Sequence, residues 1–328
     1  MADRGGVDYD APRGASLSRY FEVLRKRQEQ AGDLCSEPLG REPQDTDKSY
    51  GLAQIPVKEV RIQPESRIVC HSEPTSPGAD RFRLLRMRLR ELWNGGALRT
   101  LLITSPLPGD GKSTIALNLA TALAERGKRT VLLIEADLHH PTLSQQLEIE
   151  AEHGLAECLE DGLDPVKLVR RLEPLGWYLL PSGHARSNPS ELLQGESVSG
   201  IIQELARHFD WILVDSPPVV PLTDALSLAR QVDASLVVAR AGSTPREAIE
   251  HTLELLGPEQ VLGVILNGIE GLHRQYSKYY GYYGYSDSSS NNPRLSNHGQ
   301  AGPQNAPECK VPTTKREADL TPRRSPHH

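Results

Sequence analysis

The 328-residue chain has few cysteines, no long apolar segment and no strong excess of charge of one sign. Its four cysteines are scattered and form no CxxC pair, which argues against a zinc site or a disulfide framework and fits a reducing cytoplasm. No stretch approaches the roughly 18 apolar residues of a spanning helix, and the start, MADRGGVDYD, lacks the apolar centre of a signal peptide. The net charge of -6 gives no general reason to expect nucleic acid or an anionic membrane as a partner.

Apolar residues make up 38% of the chain and are concentrated in its middle. Apolar runs with the composition of strands alternate there with helical patterns, which predicts an α/β fold with a mostly parallel, doubly wound sheet and helices on both faces. We expect three parts. Residues 1–76 form a helix (16–30) and a disordered linker, residues 77–272 form the domain, and residues 273–328 form a tyrosine cluster and a flexible tail.

A glycine-rich segment, SPLPGDGKST, joins a predicted buried strand to a predicted helix. This order indicates a P-loop NTPase, although Pro106 stands where the strict pattern has its first glycine. Two glycines let backbone N–H groups turn toward an anion, Lys112 offers a cation to the β- and γ-phosphates, and the Ser113 hydroxyl suits Mg²⁺. The alternative is an ordinary glycine-rich βα turn. The predicted contacts to ATP are Pro108, Gly109, Asp110, Gly111, Lys112, Ser113 and Thr114.

Acidic residues follow two further apolar runs. Glu135 and Asp137 come at the end of one, and Asp215 follows the other in a Walker B pattern. Ligands of open α/β sheets bind at the carboxyl ends of strands, where carboxylates hold Mg²⁺ or orient a nucleophile. The alternative is that these acids cap the next helices. We predict a metal site of Ser113, Asp137 and Asp215, and catalytic roles for Lys112, Glu135, Asp137 and Asp215.

Six of the ten tyrosines lie within residues 276–285 and follow neither a strand nor a helix period, so they do not look like core residues. Exposed phenols on a flexible segment suit a tail that enters a neighbour's active site. The alternative is an adhesive low-complexity segment. The predicted autophosphorylation sites are Tyr276, Tyr279, Tyr280, Tyr282, Tyr283 and Tyr285.

Residues 80–93 are predicted to form a helix with an apolar stripe beside an arginine stripe. The arginines could form a solvated basic face or a nucleic-acid surface, but no interleaved aromatic residues support nucleic acid. With Asp80 at the head of the helix, we favour a subunit contact in which Arg83 and Arg86 pair with acids of a neighbour.

Taken in order, these motifs resemble the bacterial tyrosine kinases of capsule and exopolysaccharide synthesis over about residues 80–285. DRFRLLR resembles the family's E-x2-R-x2-R oligomerisation signature, and EADLHHP stands at its second Walker motif, usually D-x-D-x-R-x-P. LPSGHARSNPSELL, ILVDSPPV and LGVILN resemble further segments of the family. Two positions depart from its pattern: Glu135 replaces the first aspartate and His139 replaces the arginine.

The resemblance implies an ATP-dependent protein tyrosine autokinase that acts in trans and regulates polysaccharide export, with Asn267 near the adenine. It also implies a ring-shaped homo-oligomer, a transmembrane polysaccharide co-polymerase as activator, a tyrosine phosphatase, and a cytoplasmic location held at the membrane by a partner. Two alternatives stay open. A partitioning or septum-placing ATPase would carry a signature lysine where Leu107 stands, and a catalytically weak ATP-binding subunit of an export complex would tolerate the changes in EADLHHP.

Overall fold

A computed structural model describes residues 52, 54–94, 98–185, 188–195, 197–220 and 223–269. The strands are β1 (Val57–Glu59), β2 (Thr100–Thr104), β3 (Val131–Glu135), β4 (Arg170–Glu173), β5 (Trp177–Leu180), β6 (Trp211–Asp215), β7 (Ala234–Arg240) and β8 (Val261–Asn267). The helices are α1 (Val69–Ser72), α2 (Pro77–Asn94), α3 (Lys112–Ala124), α4 (Leu143–Gln146), α5 (Leu155–Asp161), α6 (Pro165–Leu168), α7 (Pro189–Gln194), α8 (Ser197–Leu205), α9 (Asp224–Ala229) and α10 (Arg246–Leu256).

The eight strands form one sheet in the order β1-β4-β5-β3-β6-β2-β7-β8. Every neighbouring pair in it is parallel except β4 and β5, which run antiparallel. Crossovers between parallel strands place helices on the faces of the sheet, so central strands must be apolar on both sides. The five residues of each of β2, β3 and β6 are all buried. The predicted α/β fold is therefore confirmed.

Two hydrophobic cores lie on opposite faces of this sheet. Successive side chains of β2 alternate between them, with Leu101 and Ile103 in one core and Leu102 in the other. The first core contains the apolar face of α3 and, as the sequence predicts, the α2 stripe of Phe82, Leu85, Leu89 and Leu92. The second core contains residues of α5, α7, α8 and α9. Within the described part of the chain, no helix is long and apolar enough to cross a membrane.

The segment before α2 corrects one prediction. Residues 54–76, predicted as linker, pack on the domain, because β1 joins the edge of the sheet beside β4. The next turn buries Ile68, which is 1% exposed, in the first core. Asn118 on α3 fixes that turn by accepting from the Cys70 N–H at 3.1 Å and donating to the Arg67 carbonyl at 2.9 Å. The predicted helix at 16–30 lies outside the described residues.

Candidate functional site

The phosphate loop and the acidic residues meet at the carboxyl edge of the three central strands β3, β6 and β2. Parallel strands that are neighbours in the sheet end at the same edge, so residues distant in sequence become neighbours in space. Asp215 at the end of β6 stands opposite Glu135 of β3 on one side and Ile103 of β2 on the other. The structure therefore brings the two acidic strand ends and the P-loop together, as the sequence predicts.

The loop between β2 and α3 has the backbone shape of an anion cradle. Gly109 and Gly111 have φ angles of 82° and 96°, in the left-handed region that glycine adopts without strain. A Cβ at residue 111 would also lie 2.1 Å from Nδ2 of Asn267, so that position admits no side chain. Lys112 opens α3 directly after this turn, which places the positive end of the helix dipole at the loop.

Lys112 is paired inside the site. Its Nζ lies 3.0 Å from Oδ2 of Asp137, and the two side chains are 12% and 3% exposed. A bound phosphate offers the lysine an alternative anionic partner, which would leave the Asp137 carboxylate available to another group. Oδ1 of Asp137 separately accepts from the His140 N–H at 3.0 Å, so the carboxylate is oriented independently of the lysine.

Among the buried carboxylates of the site, Asp215 is the one whose negative charge is least compensated by hydrogen bonds and neighbouring cations. It is 0% exposed, and neither of its oxygens has a hydrogen-bond partner among the described residues. Burial raises the pKa of Asp215 to about 7, against the opposing charge of Lys112. The Ser113 hydroxyl also lowers that pKa, although it lies outside hydrogen-bond geometry to either oxygen. Unpartnered carboxylate oxygens beside a hydroxyl are the kind of ligand that Mg²⁺ prefers, so the residues fit this ion.

Glu135 has a fully occupied carboxylate. Oε1 accepts from the backbone N–H groups of Leu143 and Ser144 at 2.6 and 3.1 Å. Oε2 accepts from the Ser144 hydroxyl and from the Ser182 N–H. Four donors therefore bind this side chain, which ties the N-terminus of α4 to the segment after β5. The catalytic role of Glu135 stays a prediction. In this conformation its hydrogen bonds hold the N-terminus of α4 and the segment after β5 in place.

His139 contacts an acid that the sequence did not single out. Its Nε2 lies 2.9 Å from Oδ2 of Asp224 and 3.4 Å from Oγ of Ser190. Asp224 is 0% exposed, and its Oδ1 has no partner among the described residues. Both contacts use the same ring nitrogen, so the group is not a Ser-His-Asp relay, which needs both nitrogens. Acidic residues are common in the first turn of a helix, so nothing in the sequence marked Asp224 as part of a site.

The other predicted residues lie in several places. Asn267 donates from Nδ2 to the Asp110 carbonyl at 3.0 Å, so it contacts the phosphate loop, while its contact with adenine stays a prediction. Thr114 on α3 lies one residue after Ser113, and its carbonyl accepts from Asn118 at 2.9 Å. Pro108 is exposed on the loop. The six tyrosines predicted as autophosphorylation sites lie outside the described residues.

The residues predicted to form a subunit contact are on α2 and partly engaged within the chain. Arg83 pairs with Asp80 and donates to the Pro74 carbonyl. Arg86 donates to the Ala122 carbonyl at 3.2 Å, near the C-terminus of α3, where a cation offsets the helix dipole. The role of Asp80, Arg83 and Arg86 in oligomerisation stays a prediction.

Comparison with known proteins identifies the family of the chain. The chain matches the ParA family, described as NUBPL iron-transfer P-loop NTPase, over residues 97–275. It therefore belongs to the ParA-type P-loop NTPases, the class that its sheet and phosphate loop define.

Within that class, the chain is 32% identical over 206 residues to the tyrosine-protein kinase YwqD of Bacillus subtilis, covering 62% of this chain and 86% of YwqD. It is 35% identical over 207 residues to the succinoglycan biosynthesis transport protein ExoP of Rhizobium meliloti, covering 62% of this chain but only 26% of ExoP. The kinase domain of the Escherichia coli tyrosine kinase ETK superimposes with a TM-score of 0.58 at 29% identity, over 61% of this chain and 79% of that domain. The chain belongs to the bacterial tyrosine kinase family.

Proposed function

We propose that this protein is an ATP-dependent tyrosine kinase that phosphorylates the tyrosine cluster of a second copy and so regulates exopolysaccharide synthesis and export. One observation carries the proposal: Lys112 of the phosphate loop pairs with Asp137, close to the buried carboxylate of Asp215, which has no hydrogen-bond partner in the described part of the chain. This arrangement supplies the two things that phosphoryl transfer needs most, which are positioning and charge stabilisation. The relatives named as tyrosine kinases support the reaction type.

We assign each residue of the site a separate role in this reaction. The loop N–H groups from Gly109 to Thr114 bind the phosphates, and Lys112 leaves Asp137 for the β- and γ-phosphate oxygens. Ser113 and Asp215 would hold Mg²⁺, which neutralises charge on the phosphates when it is bound. Asp137, released from the lysine, orients the incoming phenol and accepts its proton. Glu135 holds the surrounding segments in place through its four hydrogen bonds.

The test is an anti-phosphotyrosine blot of the purified protein after incubation with Mg-ATP, with Lys112→Met as the matched control. We expect a signal in the wild-type protein and a severe loss in the variant, because Lys112 is the cation that the loop offers to the phosphates. ATP affinity, measured by calorimetry, should fall in the same variant. Unchanged affinity would contradict the assignment of the loop.

Mass spectrometry of the ATP-treated protein should place phosphate between Tyr276 and Tyr285, and not on Tyr9, Tyr20 or Tyr50. Tyr178 is a useful internal control, because it is 7% exposed on β5 and packs edge-on against Phe209 with ring centroids 5.2 Å apart. Phosphate found only outside the cluster would contradict the proposed acceptor.

A second candidate is an ATP-binding subunit of an export complex with little kinase activity. The occupied carboxylate of Glu135 favours it if catalysis needs Glu135, and not Asp137, as the general base, because both Glu135 oxygens already accept hydrogen bonds. Tight ATP binding without a phosphotyrosine signal would select this candidate. A partitioning or septum-placing ATPase is less well supported, because Leu107 occupies the position of the signature lysine of those proteins.

The proposed partners are further copies of this chain in a ring, a transmembrane polysaccharide co-polymerase that activates it and holds it at the membrane, and a tyrosine phosphatase. The name of ExoP, a succinoglycan biosynthesis transport protein, supports the link to polysaccharide. Light scattering on Arg83→Glu tests the ring, with Arg88→Glu as control, because Arg88 lies on the same helix and is 70% exposed. If both variants keep the mass of the wild type, the arginine contact is wrong.

A further inference from the structure

Asp110 is a buried acid in a loop built to bind an anion. It is 3% exposed and lies two residues before Lys112, where its charge would repel a bound phosphate. Each of its carboxylate oxygens accepts a hydrogen bond: Oδ2 from the Leu107 N–H at 3.0 Å and Oδ1 from the Thr244 hydroxyl at 2.6 Å. The acid is therefore satisfied within the chain, and one of its partners comes from the turn after β7.

That partner is itself held in place. Oγ1 of Thr244 accepts from the Arg240 N–H at 2.7 Å, so the hydroxyl donates in one direction and accepts in the other. The roles of this hydroxyl are thereby fixed: its single hydrogen points to Asp110. The 2.6 Å distance lies within the usual range for a hydroxyl that donates to a carboxylate oxygen. The turn at residues 240–244 and the phosphate loop thus form one hydrogen-bonded unit.

Two further contacts hold the backbone of the same loop from the outside. Nη1 of Arg240 donates to the Gly109 carbonyl at 3.2 Å, and Nδ2 of Asn267 donates to the Asp110 carbonyl at 3.0 Å. These are the two carbonyls immediately before Gly111. A carbonyl oxygen bound by an outside donor is kept from turning toward a bound phosphate. The ends of β7 and β8 therefore supply donors that favour the phosphate-binding shape of the loop.

We propose that Thr244 is a positioning residue for nucleotide binding. Its hydrogen bond holds Asp110 against the turn after β7 and so keeps the phosphate loop in the conformation that binds phosphate. The proposal rests on the proposed function only in requiring that the loop binds ATP. Removing the hydroxyl leaves one buried carboxylate oxygen of Asp110 without a donor. That oxygen would then compete with phosphate for the loop N–H groups, so nucleotide affinity should fall while the fold remains.

The test compares Thr244→Val with Thr244→Ser and a control at Thr252. Valine matches threonine in shape but lacks the hydroxyl, and serine restores it. Thr252 on α10 is 0% exposed, and its hydroxyl has no partner among the described residues, so Thr252→Val makes the same chemical change without touching the loop. Calorimetry gives the affinity for ATP and ADP, and thermal unfolding without nucleotide reports on the fold.

We expect Thr244→Val to bind both nucleotides about tenfold more weakly, the loss typical of one hydrogen bond to a charged group, with Thr244→Ser within about twofold of wild type. In the kinase assay the KM for ATP should rise while kcat stays nearly constant. Wild-type affinity in Thr244→Val, an equal loss in Thr252→Val, or failure of serine to rescue would overturn the proposal. If valine prevents folding, Thr244→Ala makes the same comparison. A wild-type protein that binds no ATP would instead overturn the proposed function.

Discussion

Nε2 of His139 lies 2.9 Å from Oδ2 of Asp224, although 85 positions separate the two residues in the sequence. The contact joins the segment after β3 to the start of α9, and Ser190 on α7 lies close to the same ring nitrogen. His139 stands at the position where the motif that EADLHHP resembles usually has an arginine. The histidine therefore has a buried acidic partner within the chain.

His139→Ala should lower the free energy of unfolding by about 1–3 kcal/mol, because among the described residues it leaves both oxygens of the buried Asp224 carboxylate without a partner. His139→Arg should keep most of the stability, since a guanidinium also reaches and donates to a carboxylate. Urea unfolding of both variants gives the comparison. Equal losses in the two variants would mean that packing of the imidazole, and not its contact with Asp224, stabilises the segment.

Glu135→Gln should destabilise the protein by about 1–3 kcal/mol even without nucleotide, because an amide nitrogen cannot accept from the Ser144 hydroxyl and the Ser182 N–H. The measurement is denaturant unfolding. Glu135→Asp is the informative companion, since it keeps the charge but shortens the arm that reaches α4. A Glu135→Gln variant with wild-type stability and no kinase activity would show that Glu135 acts in catalysis and does not stabilise the fold.

Asp215 should make the stability of the nucleotide-free protein depend on pH. Burial raises its pKa from 3.8 to about 7, so between these values the folded state holds a proton that the unfolded state has released. The free energy of unfolding should therefore fall as pH rises from about 4 to about 7. Each pKa unit corresponds to about 1.4 kcal/mol, which sets a ceiling of ~4 kcal/mol for the effect.

Asp215→Asn removes this dependence. Its stability relative to the wild type should increase from pH 4 to pH 7 and then stay constant, when both are unfolded with urea in EDTA. Saturating Mg-ATP should reverse the order at pH 7.5, because only the wild type offers a carboxylate to the metal. Parallel pH profiles of the two proteins without ligand would show that Asp215 is ionised throughout this range.

Asp137→Asn separates phosphate binding from catalysis. The asparagine keeps an oxygen for the His140 N–H but gives up the charge that pairs with Lys112. ATP affinity in EDTA should stay within a few fold of wild type or improve, because Lys112 no longer has to leave an anionic partner. Phosphotyrosine formation should fall by about 100-fold or more, as expected for loss of a general base. Loss of ATP binding in EDTA would assign Asp137 to the nucleotide site itself.

The sequence by itself determined the central strands and the phosphate loop. Residues 100–104 and 211–214 are short apolar runs next to acid or glycine signals, and β2 and β6 begin where these runs begin. Such signals are local, because a strand buried on both faces must be apolar throughout and a phosphate loop needs glycine at fixed offsets. Gly109, Gly111 and Lys112 could therefore be assigned without knowledge of the fold.

Only the tertiary structure decided which partners these residues have. The three residues of β1 are all exposed and carry no apolar pattern, so their pairing with β4 depends on backbone hydrogen bonds that no local signal reports. Asp224 lies in the first turn of a helix and Thr244 in a turn, and neither position stands out in the sequence. They became part of the site because chain crossovers place them beside His139 and Asp110. Glu135 and Asp215 both follow apolar runs, yet Glu135 accepts four hydrogen bonds and Asp215 accepts none from the residues that the structure describes. That difference depends on segments far away in the chain.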